Sequence, residues 1–181
     1  MEKHILCNED SNTRGLCTNA SEEIVTATEA DLPRILKIYD IAKAYMRANG
    51  NPNQWNGAYP DPETLRTDIE KQRLYVYKKA GSIHGVFMLL LEEEPTYAYI
   101  EDGSFREGEI PYGTIHRLAG DGKVKGLFSH CVTFCQSKVK YLRADTHFDN
   151  HTMQHLLEKN GFERRGIIYL KNGDPRIAYQ K

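Results

Sequence analysis

The sequence predicts a mixed α/β fold, in which helices pack on both faces of a central sheet. Strand-like and helix-like segments alternate along the chain from residue 24 onward. Residues 115–145 have a strand–helix–strand layout, whose two strands should be parallel, or nearly so, through a right-handed crossover. The sequence contains no internal repeat, so a single layered sheet accounts for all of these segments.

Length and composition indicate one globular domain. The chain has 181 residues, of which 40% are apolar and 27% are charged, and its 24 basic and 25 acidic residues give a net charge of −1. This balance excludes a net basic field of the kind that holds nucleic acid, although a local basic patch is compatible with it. The longest apolar run, at 85–91, is much shorter than the roughly 20 residues that span a bilayer, so we expect no membrane partner.

The N-terminal segment differs from the rest of the chain. Residues 1–23 are polar and have no sustained periodicity, so we expect a mobile arm or an edge addition there. Residues 24–181 would then form the single domain. Because the arm lacks the apolar stretch of a secretory signal, the cytoplasm is the expected location.

The first elements of the domain have clear boundaries. A short strand is predicted at 24–26, and Thr28 then begins a helix as its N-cap, with Asp31 in the capping-box position. Asn49 and Gly50 end this helix. The residues at helical spacing that should face the core are Leu32, Ile35, Leu36, Tyr39, Ala42 and Met46.

Further elements follow a loop at 50–61 that is rich in glycine, proline and asparagine. A second helix begins with Asp61 as N-cap and Pro62 at the first helical position, and it runs to about residue 71. Strands are then predicted at 74–78, 83–91, 97–100 and 110–118.

The last third of the chain alternates between strands and helices. Helices are predicted at 126–138 and 151–160, and strands at 141–145, 166–170 and 176–179. Cys131 and Cys135 lie four residues apart in the first of these helices. We expect two small buried side chains on its apolar face, because no cysteine pair has the spacing of a zinc or dithiol site.

The stretch from Thr114 to Ser129 combines features of an anion site. A strand enters a turn with three glycines in seven residues and passes directly into a helix. Such a turn leaves backbone N–H groups unpaired beside the positive end of the helix dipole, and Lys123 and Lys125 add two charges. This combination suits a phosphate or pyrophosphate. From this stretch alone, an ordinary glycine-rich connection with solvated lysines is an equal alternative, since the spacing matches neither a P-loop nor the dinucleotide fingerprint.

The segment 142–162 favours the anion site. A strand ends at Asp145, Asn150 lies where the next helix starts, and that helix closes with Glu-Lys-Asn-Gly-Phe at 158–162. Together, the two segments resemble motifs A and B of the GNAT superfamily, the Gcn5-related N-acetyltransferases. The resemblance covers residues 114–170 strongly, and the order of the upstream elements agrees with it more loosely.

The resemblance implies an acyl-CoA N-acyltransferase fold. In this fold a mixed, mostly antiparallel central sheet contains a splayed parallel pair of strands, here 114–118 and 141–145, and acetyl-CoA lies in the wedge between them as cosubstrate. No metal is expected. The family pattern assigns cofactor contacts to Arg117, Leu118, Ala119, Lys123, Val124, Lys125, Gly126, Leu127, Phe128, Ser129 and Asn150.

Three positions depart from the family pattern. Lys123 stands where glutamine or arginine is usual and would meet a phosphate as a point charge. Phe128 replaces a small residue, so its ring must turn away from the pyrophosphate. Leu157 stands where many members have a tyrosine that is proposed to protonate the departing thiolate, so either another group or solvent must supply that proton.

The acid–base residues are less clearly indicated than the cofactor contacts. Transfer requires a neutral amine beside the thioester, and His116 lies on the cofactor strand and titrates in the useful range. A hydrogen-bonded structural histidine is the alternative at this position. Tyr112 is a second catalytic candidate on the same strand. Asp145 is expected to tie down the turn that follows it through an Asx-type hydrogen bond.

The acceptor pocket is inferred from the resemblance, which places it between the first two helices, their loop and the late strands. Aromatic residues that could line it are Trp55, Tyr59 and Tyr99, together with Tyr45 and Tyr97, although each could instead fill a core or loop base. The acidic run at 92–94 could attract a cationic amine, but such runs are usually solvated. The resemblance is also compatible with a homodimer formed through an edge strand.

Three functions are therefore compatible with the sequence. The first is an N-acetyltransferase that moves the acetyl group from acetyl-CoA to a primary amine of a small molecule, amino acid or peptide by direct attack in a ternary complex. The second is a catalytically idle protein of the same fold that binds CoA or another ligand as a sensor. The third is a different phosphate-binding α/β protein, such as a nucleotide-binding module.

Overall fold

The computed structural model describes residues 21–55 and 57–181, and within them a seven-stranded sheet carries four α-helices. The order across the sheet is β1-β2-β3-β4-β5-β7-β6. Strands β4 and β5 are parallel, and all other neighbouring strands are antiparallel, as predicted. In chain order the elements are β1 (Glu22–Thr26), α1 (Leu32–Ala48), α2 (Pro62–Glu70), β2 (Leu74–Lys79), β3 (Ser82–Leu90), β4 (Tyr112–Gly120), α3 (Leu127–Gln136), β5 (Tyr141–Thr146), α4 (His151–Lys159), β6 (Glu163–Tyr169) and β7 (Pro175–Gln180).

The helices cover both faces of the sheet, as predicted. Helices α1 and α2 pack on what we call the first face, and α3 and α4 pack on the second face. Strand β3 is buried on both sides, since Val86 and Met88 belong to the core of the first face while Phe87 and Leu89 belong to the core of the second. Within the described residues, no helix has both the length and the apolar character needed to cross a membrane.

The predicted helix starts are confirmed by their capping contacts. The backbone N–H of Thr28 donates to Asp31 Oδ2 at 2.8 Å, and a single turn of 3-10 helix at Glu29–Asp31 leads into α1. At α2, Asp61 Oδ1 accepts the N–H of Thr64 at 2.8 Å. These side chains satisfy donors that the first helical turns leave unpaired. Of the predicted arm at 1–23, residues 1–20 lie outside the described part of the chain, and Glu22 and Glu23 belong to β1.

The expectation for Cys131 and Cys135 is confirmed. Both are free thiols in α3 and are almost completely buried in the core of the second face. Burial raises the pKa of both thiols, that of Cys135 to about 12. They are therefore unreactive apolar side chains at neutral pH. Cys7 and Cys17 lie outside the described residues.

The predicted strand at 97–100 is wrong. Pro95–Tyr97 instead forms one turn of 3-10 helix, with Glu94 at its N-cap accepting the N–H of Thr96 at 3.2 Å. A proline at the first position favours this turn because it has no N–H to donate to a ladder. After the turn, only an isolated bridge between Glu101 and Ile167 joins the segment to the edge strand β6.

Candidate functional site

A cleft opens where strands β4 and β5 separate. The two strands pair from Tyr112 and Tyr141 as far as Ile115 and Ala144, and β4 then continues to Gly120 without pairing to β5. The cleft has a volume of about 1350 Å³. Its walls include the end of β4, the start of α3, the first turn of α4 and residues of α1, which is the wedge that the resemblance implied.

The edge of β4 and the start of α3 both present backbone groups to this cleft. His116 to Gly120 lie beside β3 on one side, while within the described residues no strand lies beside their other edge. Gly126 is the N-cap of α3 with φ of +73°, a left-handed conformation that glycine adopts without strain. Among the described residues, the N–H groups of 124–129 donate to no backbone acceptor in a turn, loop or cap. The open edge of β4 suits an extended diamide, and the N-terminus of α3 suits a diphosphate. The residues present therefore fit acetyl-CoA.

The turn before α3 is held by a buried carboxylate. Asp121 accepts hydrogen bonds from Arg34 Nη2 at 2.5 Å and from the backbone N–H of Lys123 at 3.1 Å, and His84 Nδ1 lies 3.0 Å from it. Burial raises the pKa of Asp121, but these contacts outweigh it and lower the pKa below its ordinary value. The N–H of Lys123 is thus already engaged, whereas the side chains of Lys123 and Lys125 are exposed. Donation to a diphosphate therefore falls to residues 124–129.

His116 lies in the cleft between two carboxylates. Its Nε2 is 2.9 Å from Glu94 Oε2, and its Nδ1 is 3.8 Å from Asp145 Oδ2. Asp145 Oδ2 accepts the hydroxyl proton of the buried Tyr97 at 2.9 Å. The carboxylate of Asp145 is therefore part of the cleft wall and does not form the Asx-type turn that we expected. This arrangement brings an acid–base group to the open edge of β4.

Glu94 is ionised and orients the His116 ring. Burial raises the pKa of Glu94, but hydrogen bonds from His116 and Thr96 outweigh it and lower the pKa to about 2. An ionised Glu94 accepts a hydrogen bond from Nε2–H, so the lone pair of the neutral His116 ring is on Nδ1. Because Nδ1 is beyond hydrogen-bond distance of Asp145, it is free to accept a proton from a ligand.

The depressed pKa of Glu94 makes stability depend on pH. A carboxylate with a folded pKa below its ordinary value of 4.5 stabilises the fold above that value, and this stabilisation is lost as the pH falls toward 2. We expect Glu94→Gln to lower the free energy of unfolding at pH 6 by on the order of 3 kcal/mol, and this difference from wild type to shrink by about 1 kcal/mol at pH 4. Urea denaturation at the two pH values measures both effects. A difference that is the same at both would contradict the prediction.

A β-bulge places Arg117 on the same face as His116. Between the pairs Val86–Ala119 and Met88–His116, β3 has one residue and β4 has two, and Arg117 has φ of +53°. The Arg117 side chain contacts the first face, where Nη1 donates to Asp68 Oδ2 at 2.6 Å and Nε donates to Tyr59 Oη at 2.9 Å. Arg117 was predicted only for its backbone, so the side-chain network is a new feature of this wall.

Asn150 and Leu157 have distinct places in α4. Asn150 lines the cleft as the N-cap, where Oδ1 accepts the N–H of Met153 at 3.0 Å and Nδ2 donates to Gln54 Oε1 at 2.8 Å. Leu157 is fully buried in the core of the second face. A hydroxyl at this position of α4 would thus lie in the core in this chain. Phe128 is also buried there, against Phe162, and it lines the cleft as well.

The remaining predicted residues are divided between the cleft and other surroundings. Trp55, Tyr59 and Tyr45 line the cleft. Tyr99 is 64% exposed beside Tyr169 and does not line it. Tyr112 does not line it either, because its ring stacks on the Arg143 guanidinium and its hydroxyl accepts the N–H of Glu94. Tyr112 therefore supports the loop that carries Glu94.

Sequence reasoning gave no role to two residues of the site and placed Glu94 only in an acidic run that could attract a cationic amine or be solvated. The proline after Glu94 indicates a turn that could direct it inward. Asp68 and Arg176 are buried charged residues, and no pattern in the sequence distinguishes them from surface residues. In the part of the chain that the structure describes, no group of three or more His, Cys, Asp or Glu side chains is placed to hold a metal ion.

Comparison with known proteins gives matches among solved structures. No protein-family model and no curated protein sequence matches the chain. The chain is similar to a GNAT-family acetyltransferase from Streptococcus agalactiae, with 28% identity and a TM-score of 0.80 over 88% of this chain and 94% of that one. The fold is shared with yncA from Salmonella typhimurium, solved with its cofactor acetyl-CoA, at 15% identity and a TM-score of 0.57 over 88% and 92% of the two chains. It is also shared with the ribosomal-protein-S18-alanine N-acetyltransferase from Escherichia coli, at 16% identity and a TM-score of 0.58 over the same shares.

Proposed function

We propose that this chain is an acetyl-CoA-dependent N-acetyltransferase. It has the fold of the GNAT acetyltransferases, which its sequence motifs predicted. It would transfer the acetyl group to a primary amine of a small molecule, amino acid or peptide by direct attack in a ternary complex. The observation that carries the proposal is the cleft itself. One open strand edge, one unengaged helix N-terminus and one histidine held by carboxylates line the same cavity.

Each part of the cleft has a role in the proposed reaction. Residues 117–119 at the edge of β4 and the N–H groups of 124–129 would hold acetyl-CoA, which supplies an activated thioester when bound. His116 Nδ1 accepts a proton from the attacking amine, and Glu94 stabilises the resulting imidazolium through Nε2–H. Asp145 adds a second negative charge at 3.8 Å from the ring. Fixed orientation of the amine beside the strand edge supplies the proximity that a bimolecular transfer needs.

The idle-sensor alternative rests on the buried Leu157. No hydroxyl from this position reaches the cleft, so protonation of the leaving thiolate has no group of the usual kind in α4. We favour catalysis because a thiolate is a stable leaving group that solvent can protonate, whereas the accepting base is in place. Turnover distinguishes the two functions directly.

The experiment combines cofactor binding with thiol release. We expect CoA and acetyl-CoA to raise the thermal midpoint and acetyl-CoA to release thiol with at least one class of primary amine. Gly126→Pro should abolish both effects, because proline cannot adopt φ of +73° and the start of α3 would be distorted. Gly108→Pro is the matched control, since Gly108 has φ of +72° in an exposed loop away from the cleft.

The outcomes separate the three functions that the sequence allows. Stabilisation by CoA without thiol release across an amine panel would support the sensor. Stabilisation by ATP but not by CoA would support a nucleotide-binding module. Acetyl transfer would be contradicted by either result. Equal behaviour of the Gly126→Pro and Gly108→Pro variants would contradict binding of CoA at the start of α3.

A further inference from the structure

Arg176 is a buried cation in the cleft that lacks a strong partner. The residue is 4% exposed at the start of β7, yet it lines the same cleft as His116. Its Nη1 donates to the carbonyl of Pro175 at 2.9 Å, and the Asp174 carboxylate, half-exposed, is 3.9 Å from Nη2. Among the described residues, these are the polar contacts recorded for its guanidinium. Buried arginines are ordinarily paired, because removing a charge from water is costly.

The other arginines of the cleft are already engaged. Arg117 Nη1 and Arg73 Nε share the two oxygens of the Asp68 carboxylate, at 2.6 and 2.9 Å. Both donate to a fully buried anion, which neutralises part of their charge. Among the arginines of this cleft, Arg176 is therefore the one whose charge the protein leaves most available to a ligand.

Strand register places Arg176 on the same wall as the acid–base group. On β7, Ala178 pairs with Asp145 of β5, and Arg176 lies two residues away on the same side of the strand. Two residues along a strand span roughly 6.6 Å. The carboxylates beside His116 and the guanidinium of Arg176 thus lie a short distance apart, within reach of one small molecule.

If the chain is the acetyltransferase proposed above, we infer that its acceptor is a free amino acid whose carboxylate is bound by Arg176. Glu94 and Asp145 attract the amino end toward His116, and the guanidinium receives the carboxylate in bidentate geometry. A polycationic amine is disfavoured because it would meet an unneutralised buried arginine. A phosphorylated amine is disfavoured because Asp174 and the exposed Glu92 and Glu93 also line the cleft.

The test uses matched sets of probes on the wild-type protein. Each set contains an amino acid, its carboxamide and the decarboxylated amine, and both thiol release with acetyl-CoA and binding by calorimetry in the presence of CoA are measured. We expect the amino acid to exceed the other two by about 10- to 100-fold in kcat/KM and in affinity. Equal or better use of the decarboxylated amines would overturn the inference.

Two variants assign the preference to the guanidinium. Arg176→Met should remove the preference for the amino acid mainly through KM, and Arg176→Lys should keep part of this preference. Lys171→Met is the control, because Lys171 is an exposed cation at the same cleft. An equal loss in Lys171→Met would indicate a general field and contradict the assignment. Thermal stabilisation by CoA reports whether each variant is folded. If Arg176→Met does not fold, Arg176→Lys and the wild-type probe sets still test whether Arg176 binds the carboxylate.

The experiment distinguishes failure of the Arg176 site from failure of the proposed acetyl transfer. Carboxylate-dependent binding without thiol release would overturn acetyl transfer and leave the Arg176 site standing. Thiol release without carboxylate preference would overturn the Arg176 site and leave acetyl transfer standing.

Discussion

Replacing His116 by alanine is expected to lower kcat/KM for acetyl transfer by about 10²- to 10⁴-fold, which is the usual contribution of a general base. The imidazole lies at the open edge of β4, and its Nδ1 is left free by the contact of Nε2 with Glu94. The loss should appear mainly in kcat, because proton transfer is needed in the transition state more than in binding. Steady-state thiol release with a responsive amine measures it.

Two further variants make the His116 result specific. Glu94→Gln should cause a smaller loss, about tenfold, since it keeps the ring near its position and removes the charge that stabilises the imidazolium. His130→Ala alters an exposed histidine on α3 and should leave the rate unchanged. CoA-dependent thermal stabilisation should be the same in all three variants. A His116→Ala enzyme within threefold of wild type would exclude the proposed base.

Replacing Asp68 by asparagine is expected to lower the free energy of unfolding by about 3–5 kcal/mol, the cost of breaking a buried ion pair from one side. Asp68 is fully buried on α2 and accepts from both Arg73 and Arg117. The asparagine conserves volume but leaves two partly buried arginine side chains without their counter-charge. Urea denaturation of the two proteins measures the difference.

The control for Asp68 is an exposed aspartate of the neighbouring helix. Asp40→Asn on α1 removes the same charge from solvent and should change stability by less than about 0.5 kcal/mol. We also expect Asp68→Asn to reduce activity, because the Arg117 side chain and the bulge of β4 would lose their anchor on α2. Stability of Asp68→Asn within 1 kcal/mol of wild type would contradict the prediction.

Much of the fold could be predicted because local chemistry specifies it. The capping contacts at Thr28 and Asp61 depend on residues within three positions, so they are visible in sequence. The parallel pair β4–β5 followed from the crossover rule. The segment at 97–100 failed because its aromatic alternation is typical of a strand, while Pro95 and the cap at Glu94 determine its actual turn.

The candidate site was predictable on its cofactor side and much less so on its chemical side. The glycine turn and the start of α3 are contiguous in the chain, so one stretch of sequence describes them. The partners of His116 are 22 and 29 positions away at Glu94 and Asp145, and sequence alternation could not say which face the ring would take. The bulge that aligns His116 with Arg117 depends on pairing with β3, and that pairing is not local.

The sequence by itself determined the order of the elements, the caps, the glycine-rich entry to α3 and the resemblance to an acetyltransferase fold. Each of these rests on residues that are close in the chain. Only the tertiary structure decided that Glu94 orients His116, that Asp68 pairs with Arg117 and that Arg176 lacks a strong partner in the cleft. The physical reason is that burial and charge pairing are properties of neighbours in space, and the fold brings these residues together from a loop, helix α2 and strands β4 and β7.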